Sequence, residues 1–472
     1  MMIYNIFTRY KKTLADLHTP VGIYNKLRDN FPNALLLESA DYHDRTDSKS
    51  FICLEPIAGF EAKGNSYTIE MPDGEKNQKT TEFSKDIFTA FRSFISKFKP
   101  DLQNEIPFDI HGIWGYSSFE AVRYMEDINM DLPVSEAKDN PDLKYQFFKY
   151  ILVLDHFKNE LFVFCNDINE SNDFQEEIDH ILQLILTNNQ PIFEFESLGN
   201  ETSSIEDEEY KHLVEKGINH CKIGDVFQVV LSREYQQKFR GDDLNLYRCL
   251  RSINPSPYLF YFDYGNFKIM GSSPESQLQV MEGTAIINPI AGTILKTGNH
   301  EIDLENARKL KEDPKEMSEH VMLVDLARND LSKKSKHVEI ERYAEIQYFS
   351  HVIHMVSKVK GELYKVHDGL EVFADTFPAG TLSGAPKYRA MEIIRENEKN
   401  ARNFYGGALG FIGFNGAINH AIIIRSILSK NNVLSYQAGA GIVINSSPEG
   451  ELKEVKNKTE AIRKAIEKAN EL

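Results

Sequence analysis

The strongest constraint on the fold comes from three pairs of apolar segments, each pair joined by a short polar turn. Residues 149–164 read KYILVLDHFKNELFVF, and residues 258–271 repeat the pattern with Tyr-Gly-Asn at the turn. Residues 407–426 turn at Asn415-Gly416, the most specific short hairpin signal. Hairpins join antiparallel neighbours, whereas parallel strands need long crossovers. The sequence therefore predicts an α+β fold with large antiparallel β-sheets flanked by helices, rather than a doubly wound parallel sheet.

Helical periodicity predicts helices at 205–222, 302–312, 315–332, 385–397 and 451–471. With 472 residues the chain is too long for one compact core, which predicts two lobes. The composition becomes acidic and turn-rich over residues 165–205. We therefore expect an N-terminal lobe over residues 1–200 and a second lobe over residues 201–472.

The net charge of the chain argues against two classes of binding partner. Lys and Arg total 54 against 71 Asp and Glu, which gives a formal net charge of -17. A nucleic-acid groove or an anionic membrane surface favours a basic face, so neither partner is expected. The four cysteines are scattered without framework spacing, and the first residues carry charge where a signal peptide needs an apolar run. No stretch reaches the ~20 apolar residues of a membrane span. These features predict a soluble protein of the cytoplasm.

Two E-x-x-E pairs, Glu316/Glu319 and Glu451/Glu454, are the clearest candidates for chemistry. Residues three apart share a helix face, so each pair would present two carboxylates from one side. Four carboxylates without a nearby Cys or His suit a hard cation, Mg²⁺ before Zn²⁺. Ordinary solvated faces of glutamate-rich helices are the alternative, and the spacing alone leaves both open.

Four further features are ambiguous by themselves. The loop PAGTLSGAPK (378–387) precedes a helix, where glycine and free N–H groups favour an anion, although a plain tight turn gives the same pattern. The glycines of residues 439–441 indicate either an anion pocket or close packing of strands. Arg425 follows an apolar run, and a buried arginine needs a carboxylate from the protein or from a ligand. His354, also in an apolar run, is either a hydrogen-bonded core histidine or a catalyst.

Taken together, the segments EMSEHVMLVDLARND, PAGTLSGAPK, YGGALGF and AGAGIV followed by ELKEVKNK resemble the chorismate-utilising enzyme family. The resemblance extends over residues 205–465 in motif order. It implies an α+β fold of large antiparallel sheets with flanking helices, together with binding of chorismate and Mg²⁺.

Carried over position by position, the resemblance implies roles for residues spread over the second half of the chain. The Mg²⁺ site would consist of Glu316, Glu319, Glu451 and Glu454. The substrate would be held by Thr293, Tyr405, Arg425, Gly439, Ala440, Gly441 and Lys458. The catalytic residues would be His354, Glu275 and Thr381.

The implied chemistry starts from a small dianion, which a chain of net charge -17 would repel without Arg425, Lys458 and Mg²⁺. A cation on the ring carboxylate withdraws electrons from the ring and favours nucleophilic attack on it. The C4 hydroxyl leaves poorly unless it is protonated, so Glu275 is the candidate acid, provided that its pKa is raised. A surface glutamate at a strand end is the alternative for Glu275. His354 would assist proton transfer at C2 as the ring becomes aromatic.

Two positions indicate which reaction of the family applies. Members that add water carry a lysine at the position of Gln228, and glutamine cannot serve as a base near neutral pH. Aminodeoxychorismate synthases typically carry a nucleophilic lysine where this chain has Ala291, which offers no amine. Gln228 with Ala291 is expected of members that aminate chorismate at C2 and then release pyruvate to give anthranilate, the first committed step toward tryptophan. Ala291 lies in the segment NPIAGT (288–293), where Asn288 stands in place of the arginine that usually precedes the proline in the family.

Ammonia must come from outside this chain. None of the segments FICLE, VFCND, NHCKI and YRCLR resembles the reactive-cysteine elbow of a glutamine amidotransferase. The resemblance therefore implies a separate glutamine amidotransferase subunit as partner, in a heterotetramer.

The segment LLES (36–39) lies in the first lobe and resembles the family motif that binds tryptophan as a feedback inhibitor. The resemblance therefore implies a regulatory lobe over residues 1–200 and a chorismate-binding catalytic lobe over residues 201–472. The residues implied in this pocket are Glu38, Ser39, Lys49, Asn254, Pro255, Ser256, Pro257 and Tyr258. A buried strand edge is the alternative. Leu259 stands where the family often has methionine, and an apolar replacement predicts inhibition with altered affinity.

Two other functions stay open. An aminodeoxychorismate synthase that acts without the lysine would release a para-amino precursor, whereas a chorismate or tryptophan sensor would release no product. A sensor would not need the four glutamates, His354 and Arg425 together, which favours an enzyme.

Overall fold

Apolar runs of alternating exposure form strands along most of the chain. The computed structural model describes residues 2–39, 48–101, 106–134, 138–169, 174–187, 191–349 and 352–472, apart from the side chain of Thr293. The strands are β1 (Tyr4–Leu14), β2 (Leu35–Glu38), β3 (Lys49–Lys63), β4 (Ser66–Glu70), β5 (Lys76–Thr80), β6 (Phe98–Pro100), β7 (Gly112–Ser117), β8 (Leu143–Asp155), β9 (Glu160–Asp167), β10 (Phe195–Ser203), β11 (Gln228–Gly241), β12 (Tyr258–Asp263), β13 (Lys268–Ser273), β14 (Ser276–Met281), β15 (Thr284–Ile287), β16 (Ile290–Leu295), β17 (Ser335–Tyr348), β18 (Val352–Leu363), β19 (Gly384–Ala385), β20 (Ala408–Gly413), β21 (Ile418–Ile422), β22 (Ser426–Lys430) and β23 (Val433–Ile442).

The three predicted hairpins are present as β8–β9, β12–β13 and β20–β21. Within the described ranges the strand pairs are antiparallel, except that β1 runs parallel to β6. The prediction of an α+β fold with large antiparallel sheets flanked by helices is confirmed.

The helices lie around these sheets. They are α1 (Pro20–Leu27), α2 (Lys85–Ile95), α3 (Phe174–Leu186), α4 (Asp207–Lys222), α5 (Asp243–Ile253), α6 (His300–Glu312), α7 (Pro314–Ser332), α8 (Gly369–Thr376), α9 (Gly380–Ser383), α10 (Lys387–Asn397) and α11 (Pro448–Ala469). The Asp313 side chain accepts hydrogen bonds from two N–H groups of the first turn of α7, and Pro314 follows it, which explains why a new helix begins there. Helix α10 begins two residues later than predicted, because Gly384 and Ala385 pair with β11 instead. Among the described residues, no helix combines the length and the apolar character needed to cross a membrane.

Strands from both halves of the chain pair with one another. Glu38 of β2 lies opposite Leu259 of β12, and Trp114 of β7 lies opposite Phe411 of β20. Trp114, the single tryptophan of the sequence, packs between the rings of Phe51 and Phe411, at centroid distances of 5.1 and 4.7 Å. The division of the chain near residue 200 stays a prediction.

The strand pairs β13–β22 and β14–β21 are separated by a short interruption of the regular pairing. Pairing of β13 with β22 ends at Gly271 opposite Ser426, and pairing of β14 with β21 begins at Ser276 opposite Ala421. Residues 272–275 and 422–425 lie between these pairs, and we call this region the ladder break. Such interruptions aim side chains away from the regular alternation of a sheet.

Candidate active site

Glu275 lies in the ladder break and has the properties of a proton donor. Its Oε1 accepts a hydrogen bond of 3.0 Å from the Thr381 hydroxyl, at the start of the short helix α9. Desolvation raises the pKa of Glu275 to about 7, although Thr381, Lys458 and Arg425 all act to lower it. At this pKa the carboxyl keeps a proton through much of the neutral range, as a general acid requires. The alternative of a solvated glutamate at a strand end does not describe this side chain.

Arg425 lies on the opposite strand of the ladder break, with a backbone φ of 49° in the left-handed region. Desolvation lowers the pKa of its guanidinium, and the charge of Glu275 opposes this shift only in part. Within the described part of the chain, this guanidinium forms no hydrogen bond or ion pair. The carboxylate partner expected from the sequence is therefore not a protein side chain at ion-pair distance, which leaves the guanidinium available to an anionic ligand.

His354 on β18 is held as a neutral base. Its Nδ1 lies 2.9 Å from the carbonyl oxygen of Gly292, and because a carbonyl only accepts, Nδ1 carries the proton. Desolvation lowers the pKa of His354 to about 4, and the charge of Arg425 acts in the same direction. The other nitrogen, Nε2, is then the basic one at neutral pH. Thr293 pairs with His354 through the backbone of β16 and β18, but its side chain lies outside the described residues.

Lys458 of α11 reaches the end of β23. Its Nζ donates to the carbonyl oxygen of Gly439 at 2.9 Å and lies 2.7 Å from Glu454 Oε1. Although desolvation opposes the charge, Glu454 and Tyr405 raise the pKa of Lys458, so it stays cationic. A Cβ at Gly439 would come within 3.0 Å of the buried Tyr405 hydroxyl and 2.8 Å of a backbone carbonyl. Ala440 is buried, and it points to the opposite face of β23 from Gly439 and Gly441, as successive residues of a strand do.

The side chain of Gln228, at the start of β11, approaches Gly441 near the end of β23. Its Nε2 donates to Glu319 Oε1 at 3.3 Å, and a Cβ at Gly441 would lie 2.4 Å from the same nitrogen. Gly441 therefore makes room for the amide that contacts the first glutamate pair. Ala291, the other residue that separates the family's reactions, is buried in β16.

The four glutamates of the E-x-x-E pairs come from two helices, α7 and α11. Desolvation, followed by the charges of neighbouring glutamates, raises the pKa of Glu316, Glu319 and Glu451. The charge of Glu454 acts on all three, so the pairs lie close together. Within the described residues, no three acidic, His or Cys side chains already stand at metal-binding spacing. The donor set itself, carboxylate oxygens that repel one another, fits a hard divalent cation.

The residues predicted to bind tryptophan lie on or beside neighbouring strands, since β2 pairs with both β3 and β12. The Glu38 carboxylate is already engaged, at 3.0 Å from Arg251 Nε and 2.6 Å from the Tyr247 hydroxyl. Lys49 Nζ lies 5.8 Å from the centroid of the Phe108 ring. The backbone carbonyl of Ser39 accepts a hydrogen bond from Ser48, and Ser256 is buried. The Tyr258 hydroxyl accepts a hydrogen bond from Gln279, whereas Asn254, Pro255 and Pro257 are half-buried.

The sequence analysis did not predict a buried network of charged residues next to Tyr405. The Arg402 guanidinium donates to both carboxylate oxygens of Glu398 and to the carbonyls of Leu382 and Val230. Glu120 accepts the backbone N–H groups of Arg402 and Asn403. The spacing of Glu398 and Arg402 by four residues was an available signal, but spacing of this kind is common on exposed helices. The network fixes the segment that leads into Tyr405.

This chain is similar to known proteins over nearly its full length. The family described as chorismate binding enzyme matches residues 33–464. Anthranilate synthase component 1 of Aquifex aeolicus is 35% identical, over 99% of this chain and 96% of that protein. The same component of Acinetobacter calcoaceticus is 36% identical, over 98% of this chain and 96% of its own. The crystal structure of anthranilate synthase component I from Streptococcus pneumoniae has a TM-score of 0.77 at 30% identity, over 88% of this chain and 92% of that one. With a family match over most of its length and relatives aligned from end to end, this chain belongs to the chorismate binding enzyme family.

Proposed function

We propose that this protein aminates chorismate at C2 with ammonia and then eliminates pyruvate, which gives anthranilate. The observation that carries the proposal is the placement of a protonated acid, Glu275, and a neutral base, His354, around the guanidinium of Arg425. The end-to-end similarity to anthranilate synthase component 1 supports a lyase of this kind.

Binding of the substrate rests on the local cations, because the net charge of -17 is unfavourable for a dianion. Arg425 and the Tyr405 hydroxyl would hold the enolpyruvyl carboxylate. Lys458 and the backbone of residues 439–441 would lie near the ring carboxylate. Since Arg425 forms no ion pair within the described residues, substrate binding does not have to break one.

The first step joins the ammonia nitrogen to C2 while the C4–O bond breaks. Glu275 would give its proton to the departing hydroxyl, which leaves as water, and the amine would lose one proton to solvent. In the second step the C3–O bond breaks, and a proton leaves C2 as the ring becomes aromatic. The enolpyruvyl group leaves as the enolate of pyruvate, whose methylene carbon takes a proton from solvent to give pyruvate. His354 Nε2 would accept the proton from C2, since Nδ1 donates to Gly292.

The Mg²⁺ would be held by Glu316, Glu319, Glu451 and Glu454, whose mutual repulsion a divalent cation would relieve. When bound, such a cation supplies Lewis-acid polarisation of a substrate carboxylate.

The choice of reaction within the family rests on two side chains. Gln228 donates its amide to Glu319, so it offers no basic group to activate water. Ala291 is a buried alanine and offers no amine for a covalent intermediate. The alternative, an aminodeoxychorismate synthase of the folate pathway, would have to work without that amine.

Ammonia would come from a glutamine amidotransferase subunit in a heterotetramer, consistent with relatives that are named as component 1. All four cysteines are free thiols, which is consistent with the reducing environment of the cytoplasm. Tryptophan would act as a feedback inhibitor that binds between β2, β3 and residues 254–258.

Fluorescence of the product formed from chorismate, Mg²⁺ and an ammonium salt tests the proposal. We expect anthranilate emission that requires Mg²⁺, falls on addition of tryptophan and is not supported by glutamine in place of ammonium. An aminated, non-aromatic product would reassign the protein to aminodeoxychorismate synthesis. Absence of turnover under all these conditions would reject an enzyme of this family's aminating branch.

A further inference from the structure

His320 is the first buried residue of helix α7, which carries the glutamates of the first E-x-x-E pair. Its side chain is fully buried, and the buried stripe of the helix continues from it through Leu323 and Val324. Glu316 lies about one turn before His320, and Glu319 directly precedes it. The rotation of α7 about its axis therefore determines together where the His320 ring and the two carboxylates point.

The His320 ring is held by Ser357 of strand β18. His320 Nε2 lies 2.6 Å from the Ser357 hydroxyl, and both side chains are buried. The ring also packs beside that of Tyr343, at a centroid distance of 6.0 Å. Within the described part of the chain, His320 Nδ1 forms no hydrogen bond, so Ser357 is the polar partner that orients the ring.

Ser357 is itself fixed by two neighbouring strands. Its N–H donates to the carbonyl oxygen of Pro289 at 3.0 Å, just before β16. Its hydroxyl oxygen accepts the N–H of Ala344 at 2.9 Å, at a bulge of β17. Ala344 has a φ of 49°, a conformation that a non-glycine residue keeps only where its surroundings hold it. Ser357 therefore provides a rigid point of the sheet to which α7 is attached.

The carboxylates of the same helix lie against residues of the proposed site. A Cβ at Gly292 would lie 3.0 Å from Glu316 Oε2, so this carboxylate contacts the segment whose carbonyl oxygen holds His354. Glu319 Oε1 accepts a hydrogen bond from the Gln228 amide at 3.3 Å. A different rotation of α7 would turn both carboxylates away from these neighbours.

We propose that His320 is a positioning residue for the divalent cation, because its bond to Ser357 fixes the rotation of α7 that brings the first glutamate pair to the site. The inference rests on the proposed function through the Mg²⁺ assigned to these glutamates. Without the bond the first turns of α7 can rotate, and the two carboxylates are spread over more orientations. Ordering them on binding then costs more free energy, so the cation binds less tightly.

His320→Phe tests this role, since it removes both ring nitrogens and keeps a buried ring. We expect the Kd for Mg²⁺ to rise by a factor on the order of 10, a common result of removing a group that orients a metal ligand. Isothermal titration calorimetry of the full-length protein with the magnesium salt alone measures this Kd without turnover. His320→Gln, whose amide nitrogen can take the place of Nε2, should keep most of the affinity.

Ser357→Ala removes the same bond from the other side and should raise the Kd for Mg²⁺ by a similar factor. In the double variant the two effects should not add, because the same bond is lost in each single variant. Should His320→Phe fail to fold, the comparison of Ser357→Ala with Ser357→Thr, which keeps the hydroxyl, decides the question.

His420→Phe is the matched control, because His420 is equally buried and its Nε2 lies 3.3 Å from one hydroxyl, that of Tyr145. Its Nδ1 also has no hydrogen-bond partner in the described structure. This variant should lose free energy of unfolding but bind Mg²⁺ as the wild type does.

The inference is overturned if His320→Phe folds and binds Mg²⁺ as tightly as the wild type, or if His420→Phe weakens Mg²⁺ binding equally. Effects of His320→Phe and Ser357→Ala that add in full also overturn it, as does wild-type protein that makes anthranilate without binding Mg²⁺. Wild-type protein that binds Mg²⁺ but makes no anthranilate instead rejects the proposed function, and the Mg²⁺ affinities of the variants still decide the role of His320.

Discussion

At the scale of single residues, burial sets the protonation states on which the proposed reaction depends. The same desolvation that raises the pKa of Glu275 to about 7 lowers that of His354 to about 4. Burial disfavours the charged form of each group, so one becomes a neutral acid and the other a neutral base. The two groups therefore have opposite roles at one pH without any direct contact between them.

Glu275→Gln should lower kcat by a factor of about 10²–10⁴, the usual contribution of a general acid. In the wild type, kcat/KM for chorismate should fall as the pH rises through about 7, because the active form of Glu275 is protonated. In the variant this decline should disappear. The profile must be measured with the concentration of free NH₃ held constant, since ammonium itself titrates at higher pH.

Glu120→Gln separates this assignment from a general effect of buried acids. Desolvation also raises the pKa of Glu120 to about 7, but its carboxylate accepts the backbone N–H groups of Arg402 and Asn403 and takes no part in the proposed proton transfers. The decline above neutral pH should persist in Glu120→Gln. If it disappears there and persists in Glu275→Gln, Glu275 is not the acid.

At the scale of secondary-structure elements, two glycines near the end of strand β23 make room for side chains of neighbouring segments. Gly439 leaves space for the Tyr405 hydroxyl and Gly441 leaves space for the Gln228 amide. The two glycines differ in what a methyl group would meet. At Gly439 it would press on a backbone carbonyl, whereas at Gly441 it would press on the far end of a flexible side chain.

Gly441→Ala should therefore leave the free energy of unfolding nearly unchanged but displace the Gln228 amide from Glu319. We expect kcat/KM with ammonium to fall on the order of 10-fold, about 1.4 kcal/mol of lost transition-state stabilisation. Steady-state kinetics and urea unfolding measure the two effects separately.

Gly59→Ala is the control, since a Cβ in that strand would make only ordinary contacts, the nearest at 3.5 Å. It should affect neither quantity. Equal losses of activity in both glycine variants would show that the Gln228–Glu319 contact does not matter.

Elements were easier to predict from the sequence than the contacts of individual side chains. The hairpins follow from local alternation and from Asn415-Gly416, and all three are present. The glutamates of α7 and α11 could be placed on helix faces, because a spacing of three is local information. The raised pKa of Glu275 could not be predicted, because it results from burial in the folded chain, opposed by residues 381, 425 and 458, which are distant in sequence. For the same reason the sequence did not show that Glu38 is held by Arg251.

At the scale of the whole molecule, the two halves of the chain share sheets and core. Strands β2 and β7 of the first half pair with β12 and β20 of the second. A buried cluster contains side chains from both halves, including Leu35, Trp114, Phe260 and Phe411. Separating the halves would expose two strand edges and part of this cluster.

Residues 201–472 expressed alone should therefore fail to unfold cooperatively in urea and should bind an apolar dye. Added residues 1–200 should restore a cooperative transition, because they supply the missing strands. The full-length chain is the reference for both signals. A stable, monomeric catalytic half with a sharp transition would contradict this expectation and support independent lobes.

Trp114 is buried between Phe51 and Phe411, so its intrinsic fluorescence reports on the surroundings of these rings. The sequence contains one tryptophan, so the indole emission of the protein reports a single place, the seam where β7 of the first half meets β20 of the second. A red shift of that emission then signals that the seam has opened to water. Changes in the emission during denaturation can thus be assigned to this junction without an added label. Far-UV circular dichroism of the same sample then shows whether the helices are lost before or after the seam opens.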